Sequence, residues 1–193
     1  QELELVEERV KALHNVKRTI DREASWPNGD GIQRQLLSLD TSGKHVTAAV
    51  AQGNVDTAAH VGVVVPGLYS NVAENLDDYD VRARTMLRNV QKHAPGEGVA
   101  IVSYLGYEAP QNLAEVAGIG YARRGADKLS GFLNGLDASR EAGPAGDAHI
   151  SVAGHSFGST TAGIALTKVN SGVVDDLIQF GSPGSGVQDV SEF

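Results

Sequence analysis

Ser156 is singled out by its neighbours. It lies in Gly154-His155-Ser156-Phe157-Gly158, between a short apolar run (Ile150, Val152, Ala153) and a stretch rich in Ser, Thr and Ala. The run reads as a buried strand and the stretch as the start of a helix. A serine on so tight a strand-to-helix turn is forced outward. Its hydroxyl then stands clear of the sheet at the helix N-terminus, where developing negative charge is stabilised. Glycine is required on both sides, because a Cβ there would collide with the adjacent strand or helix. With an earlier strand ending at Pro66-Gly67, this context predicts a nucleophile elbow, the arrangement that serves acyl transfer by serine.

Acyl transfer also needs a base. At such an elbow the acid and the histidine follow in the order Ser, Asp or Glu, His, and no histidine follows Ser156. His155 is adjacent, but neighbours on a sharp turn point apart, so it is expected to line the site and not to take the proton. His45, His60 and His149 open strands and His93 ends a helix, which places all four at the opposite edge of the sheet. At ~3.3 Å per strand residue His149 is on the order of 20 Å from Ser156. His14 lies on an N-terminal helix. Asp175 and Asp176 precede the last strand on that same far edge, and Glu108 reads as a solvated loop carboxylate on the correct rim. Asp189 opens what reads as a helix over Val187 to Phe193, with its acid where the helix dipole favours one.

The elements that position these residues follow from periodicity. A chain of 193 residues, 41% hydrophobic and 21% charged, is one globular unit in size. We divide it into an N-terminal helical segment, 1–28, and a main domain, 29–193. In the first, Leu3, Val6, Val10, Leu13 and Ile20 make one apolar stripe, to be packed across the domain or to continue a longer coiled segment. Trp26 to Gly31 breaks that helix. Ile32 to Leu39 and His45 to Ala51 read as a hairpin pair around Asp40 to Gly43. Then come a strand at His60 to Val65, a helix at 71–93, a strand at Val99 to Tyr104, a helix at Tyr121 to Leu136, the elbow strand, a helix to Asn170 and a strand at Asp176 to Phe180. Such alternation requires right-handed crossovers and a mostly parallel sheet of about six strands flanked by helices. Ligands bind at the carboxyl ends of such strands, here Pro66 to Ser70, Ser103 to Pro110, Ser156 with Phe157, and Gly181 to Gly184. Gly67, Tyr69, Tyr107 and His155 are the expected lining of the acyl or alcohol pocket.

Several classes are excluded. A formal charge of −8 argues against a nucleic-acid ligand. No cysteine is present, so there is no thiolate site and no cysteine nucleophile, and the compartment stays open, inside or outside the cytoplasm. No apolar run approaches a membrane span. Gly118-Ile119-Gly120 follows no strand and is too short for a dinucleotide fingerprint. No His or carboxylate cluster has metal-ligand spacing. Neither a metal nor a cofactor is expected.

Four runs, HVGVVVPGLYS, SYLGYEAP, VAGHSFGSTTAG and FGSPGSGV, stand in an order and spacing that resembles an actinobacterial alpha/beta-hydrolase family, over about Leu36 to Val187. Pairing of the serine turn with the later FGSPGSGV also resembles cutinases and related lipases. The resemblance implies an alpha/beta-hydrolase fold and an esterase or lipase-like activity on small-molecule or lipid esters. It implies Ser156 as nucleophile and the backbone N–H groups of Leu68 and Phe157 as oxyanion donors. It also implies two further strands, with the acid and the histidine, beyond Phe193, pairing onto the exposed sixth strand. A short form that binds without catalysis, and a base supplied by another chain, are the alternative readings.

Overall fold

The computed structural model describes residues 2–22, 31–116 and 118–193. The expected break at Trp26 and the 28/29 boundary lie outside them. Helix α1 (Glu2–Ile20) precedes an antiparallel pair, β1 (Arg34–Asp40) and β2 (Thr47–Gln52). Then follow β3 (His60–Val65), α2 (Val72–His93), β4 (Val99–Leu105), a short α3 (Leu113–Val116), α4 (Gly120–Ala142), β5 (His149–His155), α5 (Phe157–Leu166) and β6 (Asp176–Phe180). The six strands form one sheet in the order β1-β2-β4-β3-β5-β6. β4, β3, β5 and β6 run parallel, and β2 runs antiparallel to β4.

Strand composition follows sheet position. β4, near the middle, reads VAIVSYL and is buried at every residue, as a strand covered on both faces must be. Its Ala100, Val102 and Tyr104 join Val61, Val63, Val65, Ile150 and Val152 in the larger core under α4 and α5. Its Val99 and Ile101 pack with Ala83 and Leu87 of α2 on the other face. α2 starts where Asn71 accepts the Glu74 N–H and ends beside basic Lys92 and His93, as the helix dipole favours. Beyond β3 the α2 face is open: Ile178 and Phe180 of β6 are 53% and 47% exposed, and β6 has no neighbour on its outer edge among the described residues.

Two expectations are corrected here. The α1 stripe is not packed across the domain as a whole: Leu3, Val6, Val10 and Leu13 are exposed, Ile20 is partly buried against the core, and the buried face is Ala12, Asn15, Val16 and Thr19. Polar contacts fix this rotation: Asn15 donates to the Val72 and Ala73 carbonyls, and Lys11, Arg18 and Arg22 pair with Glu74, Asp77 and Asp80 on α2. Small residues at 12, 16 and 19 let the two helices approach closely enough for those bonds to form. The helix expected over 187–193 is a single 3-10 turn at Val190–Glu192. Asp189 accepts from the Ser191 N–H, Glu192 accepts from the Gln188 and Asp189 N–H groups, and these local bonds close one turn without nucleating a longer helix.

Candidate active site

β3 and β5 are adjacent and parallel, with Val65 opposite Gly154. The chain leaves β3 toward α2 on one face and leaves β5 toward α5 on the other. Crevices open at the carboxyl ends of two such strands, and this one is bounded by Pro66-Gly67-Leu68 and Ser156.

Ser156 has φ 52° and ψ −128°, which a residue with a Cβ rarely adopts. Three hydrogen bonds hold it there. Its N–H donates to the Phe180 carbonyl (3.1 Å), and its carbonyl accepts from the Ser159 N–H (2.9 Å) and the Ser159 hydroxyl (2.6 Å). Ser156 occupies the N-cap position of α5, yet its side chain makes no capping bond. The hydroxyl that a capping serine would commit to the helix is left uncommitted.

The flanking glycines do what the sequence requires of them. A Cβ on Gly154 would come 2.6 Å from Ser159 Cα, and one on Gly158 would collide with the Val65 and Pro66 carbonyls. A Cβ on Gly67 would lie 3.0 Å from both Phe157 N and Ser156 Cβ, so the 66–68 turn is laid directly against the elbow. Among the described residues, neither the Leu68 nor the Phe157 N–H has a hydrogen-bond partner. Phe157 is the first residue of α5, where unpaired amides and the positive end of the helix dipole coincide.

The 66–71 turn is tied down from the far side. Tyr69, at φ 65° and exposed, donates its N–H to Pro110 O (2.8 Å), and Gln111 donates to the Ser70 carbonyl (3.2 Å). Tyr107 is buried and donates its hydroxyl to the Pro66 carbonyl (2.5 Å), so it braces the turn from within the core. Burial pushes the phenols of Tyr107 and Tyr104 well above their ordinary range, keeping Tyr107 a neutral donor. His155 points to the α2 face. Its ring lies 5.0 Å from that of Phe180, and both border a cleft of about 200 Å³ with Val64, Tyr79 and Met86.

The other titratable groups lie apart from Ser156. His60 and His149 face each other at the amino edge, where His60 pairs with Glu97 and His149 with Asp176. Asp175 accepts the Ile150 N–H there. His45 departs from expectation. Because β2 runs antiparallel to β4, with Ala48 opposite Leu105, the start of β2 lies on the carboxyl rim. It is still three strands from β5, roughly 14 Å, and its ring is bonded to Glu8 (2.5 Å). Glu108 is committed to the His45 N–H (3.0 Å). Among the described residues no group of three or more His, Asp or Glu side chains could hold a metal ion, and no helix is long and apolar enough to cross a membrane.

The site residue that motif reading passed over is Ser182. Its hydroxyl lies 2.7 Å from that of Ser159 and joins FGSPGSGV to the elbow. The only sequence signal for it was the co-occurrence of the two motifs.

A sheet of this order with a strained serine between β5 and α5 defines an alpha/beta-hydrolase fold. The sequence pattern of an alpha/beta hydrolase family matches residues 41–193, and the chain belongs to that family. It is 34% identical over 165 residues to an uncharacterized protein of Mycobacterium tuberculosis, covering 81% of this chain and 60% of that one. A second uncharacterized protein of that species is 33% identical over 141 residues, 72% of this chain and 21% of its own length. The chain thus spans 60% of the length of the first of these relatives and 21% of the second. Among solved structures it is similar to a dienelactone hydrolase from Anabaena variabilis (TM-score 0.46, 15% identity, 78% of this chain and 64% of that one). It is also similar to a thermostable carboxyl esterase from Bacillus coagulans (TM-score 0.46, 17% identity, 79% and 45%).

Proposed function

We propose that this chain is the nucleophile-bearing part of a serine hydrolase acting on carboxylic esters, small-molecule or lipid. Ser156 Oγ attacks the ester carbonyl, the carbonyl carbon becomes tetrahedral, and the Leu68 and Phe157 N–H groups receive the oxyanion. A base takes the Ser156 proton and returns it to the departing oxygen, so collapse expels the alcohol and leaves an acyl-Ser156, which water, deprotonated by the same base, hydrolyses to the acid and free Ser156. Gly67, Tyr69, Tyr107 and His155 are assigned to the walls of the substrate site, Tyr107 acting through the Pro66 carbonyl. The observation that carries the reading is the strained Ser156, with the Gly67 turn against it and, among the described residues, no hydrogen-bond partner for its hydroxyl or for the Leu68 and Phe157 amides.

The base and its acid are assigned to polypeptide beyond Phe193 that pairs with the outer edge of β6 and covers Ile178 and Phe180. The open edge and face of β6 support this, since parallel strands are ordinarily covered on both faces. A second reading, a binding module that does not turn over, draws support from the histidines, none of which is engaged with Ser156 in the described residues.

Hydrolysis of short p-nitrophenyl esters by the protein extended past Phe193, with and without Ser156→Ala, tests the proposal. The expected loss is about 10⁴-fold or more in kcat. Unchanged turnover in Ser156→Ala removes the role of Ser156, and an inert parent protein favours the binding module.

A further inference from the structure

The FGSPGSGV run has no part in the chemistry so far, yet it holds both peptide groups of Ser156. Phe180 O accepts the Ser156 N–H (3.1 Å). Two residues on, the Ser182 hydroxyl lies 2.7 Å from the Ser159 hydroxyl, which in turn lies 2.6 Å from the Ser156 carbonyl. The Gly184 N–H donates to Ser182 Oγ (3.1 Å). An amide N–H can only donate, a carbonyl can only accept, and each hydroxyl carries one proton. The Ser159 hydroxyl therefore stands between two acceptors, the Ser156 carbonyl and Ser182 Oγ, donating toward both, and Ser182 Oγ, which also accepts the Gly184 N–H, fixes the Ser159 rotamer that reaches the carbonyl.

That carbonyl and the Phe157 N–H belong to one planar peptide group. Fixing the oxygen fixes the direction of the N–H at its other end. The Ser159 N–H and O–H donating to that oxygen also draw electron density toward it and leave the Phe157 N–H a stronger donor. We propose that Ser159 and Ser182 are positioning residues that aim and strengthen the Phe157 amide as an oxyanion donor, an inference that rests on the ester-hydrolase reading above. The loop is shaped for this by Gly181 and Gly184, at φ 57° and 140°, and is pinned to α5 where Thr160 donates to the Gly184 carbonyl (2.5 Å).

A structural role and a positioning role differ most at Ser182. Ser159 is fully buried, so its hydroxyl needs a partner for folding alone. Ser182 is exposed, and water could satisfy it. A purely structural Ser182 would therefore leave kinetics untouched when changed.

The test uses the protein extended past Phe193, p-nitrophenyl acetate, and a trifluoromethyl ketone as tetrahedral analogue. Ser159→Ala is expected to lower kcat roughly 10-fold and Ser182→Ala about 3-fold, with KM nearly constant and analogue affinity falling in step. Ser182→Thr, which keeps the hydroxyl, restores kcat. The double alanine variant is no slower than Ser159→Ala, because both act through one carbonyl. The Phe157 amide proton, followed by NMR, moves upfield in both single variants. Wild-type kcat and an unmoved Phe157 amide in Ser182→Ala, alongside an inactive Ser156→Ala, overturn the relay alone. Full activity in Ser156→Ala overturns the relay's role and the ester-hydrolase reading together.

Discussion

Ser156 takes a backbone conformation that costs on the order of 1–3 kcal/mol and persists only where its surroundings over-determine it. Those surroundings are glycines packed against carbonyls, which makes them testable. Gly158→Ala sets a methyl group against the Val65 and Pro66 carbonyls, and urea unfolding should show a loss of about 3 kcal/mol. Gly67→Ala meets only the elbow, at 2.9 to 3.0 Å. It should cost less stability and more rate, since it pushes the 66–68 turn away from Phe157. This part of the site was legible in the sequence because Gly-x-Ser-x-Gly with a strand before and a helix after is a local statement: five consecutive residues fix the geometry. The Ser182 to Ser159 contact was not, because it joins residues 23 apart whose types are common in any turn. Only the three-dimensional register of β5 against β6 brings them together.

Among the elements, α1 shows where periodicity misleads. Leu3, Val6, Val10 and Leu13 have the spacing of a buried stripe, but the helix is rotated by hydrogen bonds from Asn15 and ion pairs to α2. No count of apolar residues encodes that. Leu13→Ala should therefore change stability by less than about 0.5 kcal/mol, while Val16→Ala, at a site 4% exposed, should cost about 2 kcal/mol. The anchor beneath is Asp80. It pairs with a fully buried Arg34 and also accepts from Gln52 and Arg22. Asp80→Ala takes away a buried carboxylate bonded at once to Arg34, Gln52 and Arg22, and denaturation should show a loss of about 3–5 kcal/mol. Strand order was legible only as far as alternation of strands and helices requires a mostly parallel sheet. The antiparallel entry of β2 beside β4, which carries His45 to the carboxyl rim, needs the hairpin to be placed on a particular edge, and sequence pattern does not place it.

At the scale of the whole molecule the amino edge carries a pH response separate from the crevice. The Asp176 hydrogen bond raises His149 above its ordinary value, and the same bond lowers Asp176. A raised histidine contributes stability that is fully present below its unfolded value of about 6.5 and is lost as pH rises through the folded value. A lowered carboxylate contributes above its unfolded value and fades as pH falls through the folded one. The pair is therefore worth most between about pH 4 and 6.5. The stability difference between the parent and His149→Gln should be larger at pH 5 than at pH 8. Both side chains are about half exposed, so the effect should shrink in high salt.

Reaction with a fluorophosphonate probe, which needs an activated serine, decides whether Ser156 is the proposed nucleophile. Mass mapping of the labelled protein should find the adduct on Ser156, strongly when the chain extends past Phe193, weakly in the 193-residue chain, and not at all after Ser156→Ala. An extended chain that stays unlabelled, or labelling that persists in Ser156→Ala, would remove Ser156 from that role.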